Sequence, residues 1–354
     1  MSKPRISILA GAGISMDADL PSSVGLAKRF KEALTKGEDI IEGVKNSLLE
    51  EVLRFLNGGI RFQRGFCKQD PDVDINIEEL ATAAQRLRDR LSSPVTAYVS
   101  GWHSRLAELE RDHPMVLEAF TDAIYDKLGE WLATPPLEKI DYLTRIWDLV
   151  TAGYEVNYFT LNYDLLFEAA LEGRKYAFVN GMTDQGEWKP ELFEGDGVKV
   201  FKLHGSLDWV DHEIYGVCSL SYPRHSRAEE FEGAQKPLII FGTDQKLTSR
   251  DPFLTLLYRF SAEIKKSDVC IIIGYSFGDP HLNDVLIQRM RENLRVKVLV
   301  VHPQGEAIAD KLPALQGNPR VKFVSEKALA ALNTGIVVRE CKALLAETEG
   351  ETPF

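Results

Sequence analysis

The chain begins with a short apolar segment that runs directly into glycines. Residues 5–10 read RISILA and are followed by Gly11, Ala12 and Gly13. A strand that is apolar on both faces is typical of a parallel sheet covered by helices. Glycines after such a strand let backbone N–H groups approach a phosphate with no Cβ in the way. Met16 stands where the dinucleotide fingerprint has its third glycine, so this segment alone predicts either a nucleotide loop or a tight turn.

Strand-like and helix-like segments alternate in the later part of the sequence. Apolar runs at residues 156–160, 198–203 and 269–273 are each bounded by polar or glycine-containing segments. This alternation predicts an α/β fold with a Rossmann-like parallel sheet covered by helices. Further strands are predicted at residues 176–179, 238–241, 296–301 and 321–324.

A mostly helical segment separates the first strand from the second. Apolar residues recur at helical spacing within residues 77–91, 95–110, 115–132 and 137–150. We therefore predict a sheet domain formed by residues 1–21 and 154–354, and an inserted helical module formed by residues 22–153.

Composition excludes several classes of protein. The net charge of −11 argues against strong direct binding of nucleic acid through a broad basic surface. No apolar run approaches the ~20 residues of a membrane-spanning helix, and a strand that starts at once leaves no room for a signal peptide, so a cytoplasmic protein is expected. The cysteines form no C-x-x-C pair, which predicts no zinc ribbon and no bound metal: Cys67, Cys218, Cys270 and Cys341.

Four polar segments follow predicted strands, where open parallel sheets bind their ligands. They are residues 11–15 (GAGIS), 160–164 (TLNYD), 202–206 (KLHGS) and 274–279 (GYSFGD). Each has a structural explanation of its own, such as a helix cap or a turn. Their joint occurrence at strand ends favours a ligand site.

Together these segments resemble the hallmarks of the sirtuin family of NAD-consuming enzymes, which are GAGxS, T-x-N-x-D, L-H-G and G-x-S. The resemblance covers residues 1–21 and 154–303. It implies that NAD binds with its pyrophosphate and ribose on the first loop and its adenosine side near the last: Gly11, Ala12, Gly13 and Ser15, and Gly274 and Ser276.

The resemblance also assigns the reacting end of NAD to three residues. Asn162 and Asp164 would face the nicotinamide ribose, and His204 matches the catalytic histidine. An imidazole takes up a proton near neutral pH, and an amide orients water or a hydroxyl without adding charge. Asn162 is predicted to begin a helix, where its side chain either caps that helix or points into the pocket. Asp164 fits a ribose hydroxyl and a helix cap equally well.

Departures from the family pattern indicate a particular branch. Ser22, Ser23 and Val24 stand where the deacylases carry Asp-Phe-Arg, Leu161 replaces a glutamine, and the four zinc cysteines are absent. The chain therefore resembles the divergent bacterial sirtuin-like proteins that hydrolyse NAD to nicotinamide and ADP-ribose in defence against phage. NAD is then a substrate, and no zinc is expected.

The resemblance further implies control by a partner, because unrestrained NAD hydrolysis would kill the host. The partner would be a HerA-like ring ATPase or another defence protein from the same operon. The amphipathic surface of the helical module favours a homo-oligomer. Two alternatives stay open: an NAD-dependent protein deacylase or ADP-ribosyltransferase, and a non-catalytic module that senses NAD or ADP-ribose.

Overall fold

The computed structural model describes residues 3–37, 40–41, 43–92, 102–213, 215–221, 236–241 and 251–350. The chain divides into two compact units. The sheet unit comprises Met1–Leu20 and Ala133–Phe354, and the helical unit comprises Pro21–Leu132.

A seven-stranded parallel sheet forms the core of the sheet unit. Its strands are β1 (Arg5–Ala10), β2 (Glu155–Thr160), β3 (Phe178–Val179), β4 (Val198–Lys202), β7 (Val269–Ile273), β8 (Lys297–Val301) and β9 (Val321–Val324). They lie in the order β3-β4-β2-β1-β7-β8-β9. Six of them reproduce the doubly wound 3-2-1-4-5-6 order of the Rossmann fold. The predicted α/β fold with a parallel sheet is confirmed.

The central strands are buried along their length, as their apolar sequences predict. All five residues of β7 are buried, and so are residues 6–10 of β1. The buried hydroxyl of Ser7 in β1 is paired with that of Ser267 at 2.6 Å. Because neither face of these strands meets water, both must be apolar or internally hydrogen-bonded.

The sheet unit also contains helices. They are α1 (Gly13–Met16), α7 (Leu137–Ile140), α8 (Trp147–Thr151), α9 (Leu166–Gly173), α10 (Phe253–Lys266), α11 (Pro280–Glu292), α12 (Ala328–Asn333) and α13 (Ile336–Gly350). Helix α10 contacts β1 and β4, and α13 contacts β7 and β8. A separate antiparallel hairpin consists of β5 (Trp209–His212) and β6 (Gly216–Ser219).

The helical unit contains α2 (Ser23–Lys36), α3 (Asn46–Phe66), α4 (Ile77–Arg88), α5 (Trp102–Asp112) and α6 (Val116–Trp131). Ser22 caps α2 by accepting a hydrogen bond from Gly25 N at 3.1 Å, and Asn76 begins α4 with a capping box. Phe30 and Phe120 meet edge to face in the core, with centroids 5.5 Å apart. No helix within the described ranges is long and apolar enough to cross a membrane.

The boundary of the helical unit differs from the sequence-based one. Residues 133–153 were expected in the helical module, but they belong to the sheet unit. The reason is their packing, because α7 contacts α9 and α8 contacts β2. Their apolar side chains, such as Leu143 and Leu149, are buried with the sheet unit.

Residues 238–241 do not form a strand of the parallel sheet, contrary to the prediction. They run alongside the segment after β4, where Ile239 makes an isolated antiparallel bridge with Gly205. An apolar run of this length does not reveal which neighbour its backbone will pair with. Residues 93–101, which include part of the helix predicted over 95–110, lie outside the described residues, as do residues 222–235.

Candidate active site

The four polar segments leave the sheet at the same edge. In register, Ala10 of β1 lies beside Thr160 of β2 and Ile273 of β7, and Thr160 lies beside Lys202 of β4. These pairs bring the carboxyl ends of four adjacent strands to one level. The order of the chain reverses between β1 and β7, which is where doubly wound folds bind their ligands.

The first glycine segment packs directly on the loop after β7. Gly13 N donates to Gly274 O at 2.8 Å, and Gly11 N donates to Ile273 O at 3.0 Å. A Cβ on Gly13 would lie 2.8 Å from the Cα of Gly274, and one on Gly11 would lie 2.7 Å from the Cα of Tyr275. Gly274 has a φ of +63°. These glycines are therefore required for the close approach of two loops, in addition to any contact with a ligand.

Asn162, Ser15 and Asp164 form one hydrogen-bonded network. Asn162 Nδ2 donates to Ser15 Oγ at 2.9 Å and to Gly11 O at 3.2 Å. Ser15 Oγ donates to Asp164 Oδ2 at 2.8 Å. The network joins the loops after β1 and β2, and it directs the amide nitrogen of Asn162 into the protein. Asn162 Oδ1 is left as the acceptor that these bonds do not use.

Asn162 does not begin a helix, so that prediction is wrong. Helix α9 starts at Leu166, and Asp164 Oδ1 accepts a hydrogen bond from Leu166 N at 3.1 Å. The backbone N–H of Asn162 donates to Thr160 Oγ1 at 3.0 Å. Asp164 therefore makes the side-chain contact with the first residue of α9, and the Asn162 side chain contacts the loop after β1 instead.

A buried lysine in β4 contacts the loop after β2. Lys202, at the end of β4, is 1% exposed, and its Nζ donates to Asp164 O and lies 3.2 Å from Glu168 Oε1. Burial raises the pKa of Glu168 even though Lys202 is close. Sequence analysis did not identify this pair, although a lysine within an apolar strand is a signal that could have found it.

Backbone hydrogen bonds join the segment that contains His204 to residues 238–240. Ile240 N donates to His204 O at 2.9 Å, and Ser206 N donates to Leu238 O at 3.2 Å. Gly205 between them has a φ of +85°, and a Cβ there would lie 2.0 Å from Leu238 O. The glycine of the LHG segment is thus needed to place the histidine.

The imidazole of His204 is paired with a carboxylate. His204 Nε2 lies 3.1 Å from Asp279 Oδ2, and both residues are buried. Asp279 also begins α11, where its Oδ1 accepts from His281 N at 3.1 Å and from Leu282 N at 3.4 Å. Sequence analysis included Asp279 only as the last residue of the polar segment 274–279.

A tyrosine holds the segment that carries Asp279. Asp279 N donates to the hydroxyl of Tyr275 at 3.0 Å, and that hydroxyl lies 3.0 Å from Asn283 Oδ1. Burial raises the pKa of Tyr275 above its ordinary value, so the hydroxyl stays protonated at neutral pH. The side chain of Asn283 in turn donates to Phe277 O at 2.9 Å.

A cavity of about 270 Å³ opens beside His204 and Asp279. Its walls are mainly apolar and come from the end of β4, from residue 240 and from α10 and α11: Leu203, Ile240, Phe253, Leu257, Leu282 and Val285. Apolar walls around a few polar groups are typical of small-molecule sites.

Other predicted residues lie at the edge of this arrangement. Ala12 and Ser276 are exposed on their loops. His302, which is not one of the predicted residues, follows β8; its Nδ1 accepts a hydrogen bond from Gln304 N at 3.2 Å, and burial lowers its pKa. Tyr142, which sequence analysis did not identify, donates from its hydroxyl to Ile14 O beside the glycine segment.

The residues that the structure describes contain no group of three or more His, Cys, Asp or Glu side chains placed to hold a metal ion. The four cysteines lie within the described residues and form no disulfide there; Cys67 is exposed and the other three are buried.

Residues 156–318 match the sequence profile of the SIR2-like domain. The matched segment begins in β2 and contains Asn162, Asp164, His204 and Asp279, whereas the glycine segment after β1 lies outside it. It assigns a SIR2-like domain to this part of the chain.

Solved structures of Sir2 proteins match the chain over most of its length, with low sequence identity and low TM-scores. A Sir2 homologue in complex with NAD is 16% identical, covers 97% of this chain and 91% of that one, and has a TM-score of 0.43. A mutant Sir2 homologue with 2′-O-acetyl ADP-ribose is 15% identical, with coverages of 97% and 94% and a TM-score of 0.43. A sirtuin structure concerning substrate affinity is 12% identical, with 95% coverage of both chains and a TM-score of 0.45. Because these TM-scores and identities are low, the matches assign no role to any residue of this chain. A search of curated proteins returned no match to the chain.

Proposed function

We propose that this protein hydrolyses NAD at the nicotinamide–ribose bond, giving nicotinamide and ADP-ribose. The observation that carries the proposal is that the Asn162 network and the His204 pair both follow strands at the carboxyl edge of one doubly wound sheet, within the segment that matches a SIR2-like domain. The pyrophosphate and adenosine ends of NAD would bind along the loops after β1 and β7: Gly11, Ala12, Gly13 and Ser15, with Gly274 and Ser276.

The reaction needs one bond to break and one to form. The bond between the ribose C1′ and the nicotinamide nitrogen breaks, and nicotinamide leaves with the bonding electron pair as a neutral molecule. Water adds its oxygen to C1′, and its proton passes to His204 as general base. Asn162 Oδ1 orients the water or a ribose hydroxyl, and the negative charge of Asp164 stabilises the positive charge that develops on the ribose.

The decisive experiment measures nicotinamide release from NAD with and without an acylated peptide. We expect release without peptide, and a loss on the order of 10²–10⁴-fold in His204→Ala, which is the usual contribution of a positioned acid–base group. Release that depends on the peptide would instead favour a deacylase or ADP-ribosyltransferase. Binding of NAD with no release in the parent protein would favour a sensing module.

We also propose that hydrolysis is restrained in the cell and serves defence against phage. Complete NAD hydrolysis is lethal, so a partner such as a HerA-like ring ATPase, or self-assembly into a homo-oligomer, would control it. Light scattering with and without the partner gives the assembly state, and nicotinamide release from the same samples gives its effect on turnover. Equal turnover in every assembly state would contradict control by assembly.

A further inference from the structure

The buried contact between His204 and Asp279 has a chemical consequence. We infer that Asp279 is a positioning residue that fixes His204 as the tautomer protonated on Nε2, so that Nδ1 is the nitrogen that accepts the proton in the reaction. This inference rests on the proposed NAD hydrolysis, because it names the working atom of the proposed base.

The assignment of the proton follows from what each group can do. An ionised carboxylate only accepts hydrogen bonds, and a neutral imidazole has one N–H donor and one bare nitrogen acceptor. Asp279 Oδ2 lies 3.1 Å from His204 Nε2, within hydrogen-bond distance. Nε2 must therefore carry the hydrogen, and Nδ1 keeps the lone pair.

Asp279 cannot easily turn away from the histidine. Its second oxygen is engaged by two N–H groups of the first turn of α11, and its backbone N–H is engaged by Tyr275. His204 is 6% exposed and Asp279 is 5% exposed. A buried carboxylate needs such partners, and losing one leaves a charge uncompensated. The imidazole is thus a partner of a carboxylate that its own helix holds in place.

The pair also links two loops that no strand pairing joins. His204 follows β4 and Asp279 follows β7, and β2 and β1 lie between these strands in the sheet. The contact spans 75 residues of sequence. It therefore ties the loop that carries the proposed base to the loop after β7, which a local turn alone cannot do.

The test is Asp279→Asn. Asparagine caps helices as well as aspartate, so α11 is expected to keep its start. With Oδ1 on the cap, the amide NH₂ faces Nε2 and donates to it, which moves the imidazole proton to Nδ1. The lone pair then points away from the reaction. We expect kcat to fall on the order of 10²–10⁴-fold with little change in KM for NAD.

The matched control is Glu292→Gln. Glu292 is an exposed carboxylate at the end of α11 that is not part of the cavity lining, so the substitution removes the same charge from the same helix. It is expected to keep the parent kcat, because its carboxylate pairs with Lys265 and Arg289 and not with His204. An equal loss in both variants would mean that the charge of α11 matters and not the contact with His204, and would overturn the inference.

A second readout does not depend on turnover. Long-range ¹H–¹⁵N NMR of protein labelled in histidine distinguishes the two tautomers, and His204→Gln assigns the relevant signals by their loss. The parent is expected to show Nε2 protonated and Asp279→Asn to show Nδ1 protonated. A parent spectrum with Nδ1 protonated, or parent kcat in Asp279→Asn, would falsify the inference. Absence of NAD cleavage in the parent would instead contradict the proposed function, while the spectrum still decides the tautomer.

Discussion

At the scale of single residues, Asn162 is the side chain whose role the structure changes most. Its amide reaches the loop after β1 and does not cap α9. If Asn162 capped a helix, removing its side chain would lower the stability of that helix. Because it bridges two loops, removing it should instead change the geometry at the reacting end of NAD.

We therefore expect Asn162→Ala to lose most nicotinamide release, on the order of 10²–10⁴-fold, while NAD still binds. Loss of two hydrogen bonds that are partly buried should lower the free energy of unfolding by only about 1–3 kcal/mol. Turnover, NAD affinity and urea unfolding are measured on one preparation.

Asn76→Ala is the matched control, because Asn76 is a helix cap in the other unit. It should cost about 0.5–2 kcal/mol of stability and leave turnover at low temperature unchanged. If Asn162→Ala behaves in the same way, with parent turnover and reduced stability, its proposed role in catalysis is wrong.

Glu168 gives a prediction about pH. Burial raises its pKa in the folded protein, so the folded state holds this proton more tightly than the unfolded state does. The corresponding stability is full below the ordinary pKa of about 4.5 and is lost as pH rises through the raised folded value. Glutamine does not titrate, so Glu168→Gln should lack this contribution.

Urea unfolding of both proteins from pH 5 to pH 8 checks this expectation. The stability of the parent relative to Glu168→Gln should fall as pH rises, because only the parent loses stability over this range. A difference that grows with pH, or stays constant, would contradict the raised pKa.

At the scale of elements, the close approach of the loops after β1 and β7 depends on glycine. A Cβ on Gly13 would lie 2.8 Å from both the Cα and the oxygen of Gly274. Both atoms belong to the backbone, so a loop must move. We expect Gly13→Ala to lower the free energy of unfolding by about 1–3 kcal/mol, as overpacking does, and to reduce turnover sharply.

Gly129→Ala is the control for this substitution. Gly129 lies within α6 with nothing within 4 Å of its added Cβ. Alanine at a helix interior should raise stability by about 0.5–1 kcal/mol, and turnover should stay at the parent value. Thermal unfolding and nicotinamide release of both variants test the pair. Equal stability of Gly13→Ala and the parent would show that the loops have room to separate.

At the scale of the whole molecule, the four cysteines report on the packing of both units. Cys67 at the end of α3 is exposed, whereas Cys218, Cys270 and Cys341 are buried. Burial raises the pKa of Cys270 and of Cys341 to about 12, so neither is a thiolate at pH 8.

A thiol reagent should therefore react quickly with one cysteine of the native protein and with four after unfolding in urea. Cys67→Ser should abolish the fast phase and leave the slow one. The measurement is the absorbance of the released thiol at pH 8. A second fast thiol in the native protein would contradict the burial of the cysteines in the sheet unit.

The fold class and the edge that carries the site could be predicted from local sequence. Strands such as residues 5–10 and 269–273 are apolar on both faces, and only a covered parallel sheet satisfies that pattern. Parallel strands end at one edge, so polar segments at their ends converge regardless of the order of the strands. Strand order itself, and the failure of residues 238–241 to join the sheet, were not contained in the local pattern.

Contacts between distant segments were decided by the tertiary structure alone. In the sequence, Asp279 is only one residue of a polar segment after a predicted strand, and its pairing with His204 exists only because the loops after β4 and β7 meet. In the sequence, Lys202 is only the end of a predicted strand. Its contacts with Asp164 O and with Glu168 of α9 depend on where α9 packs. The sequence by itself determined which residues lie at the carboxyl edge, because side-chain periodicity and turn chemistry are local. The tertiary structure decided which of them touch, because that depends on sheet order and register.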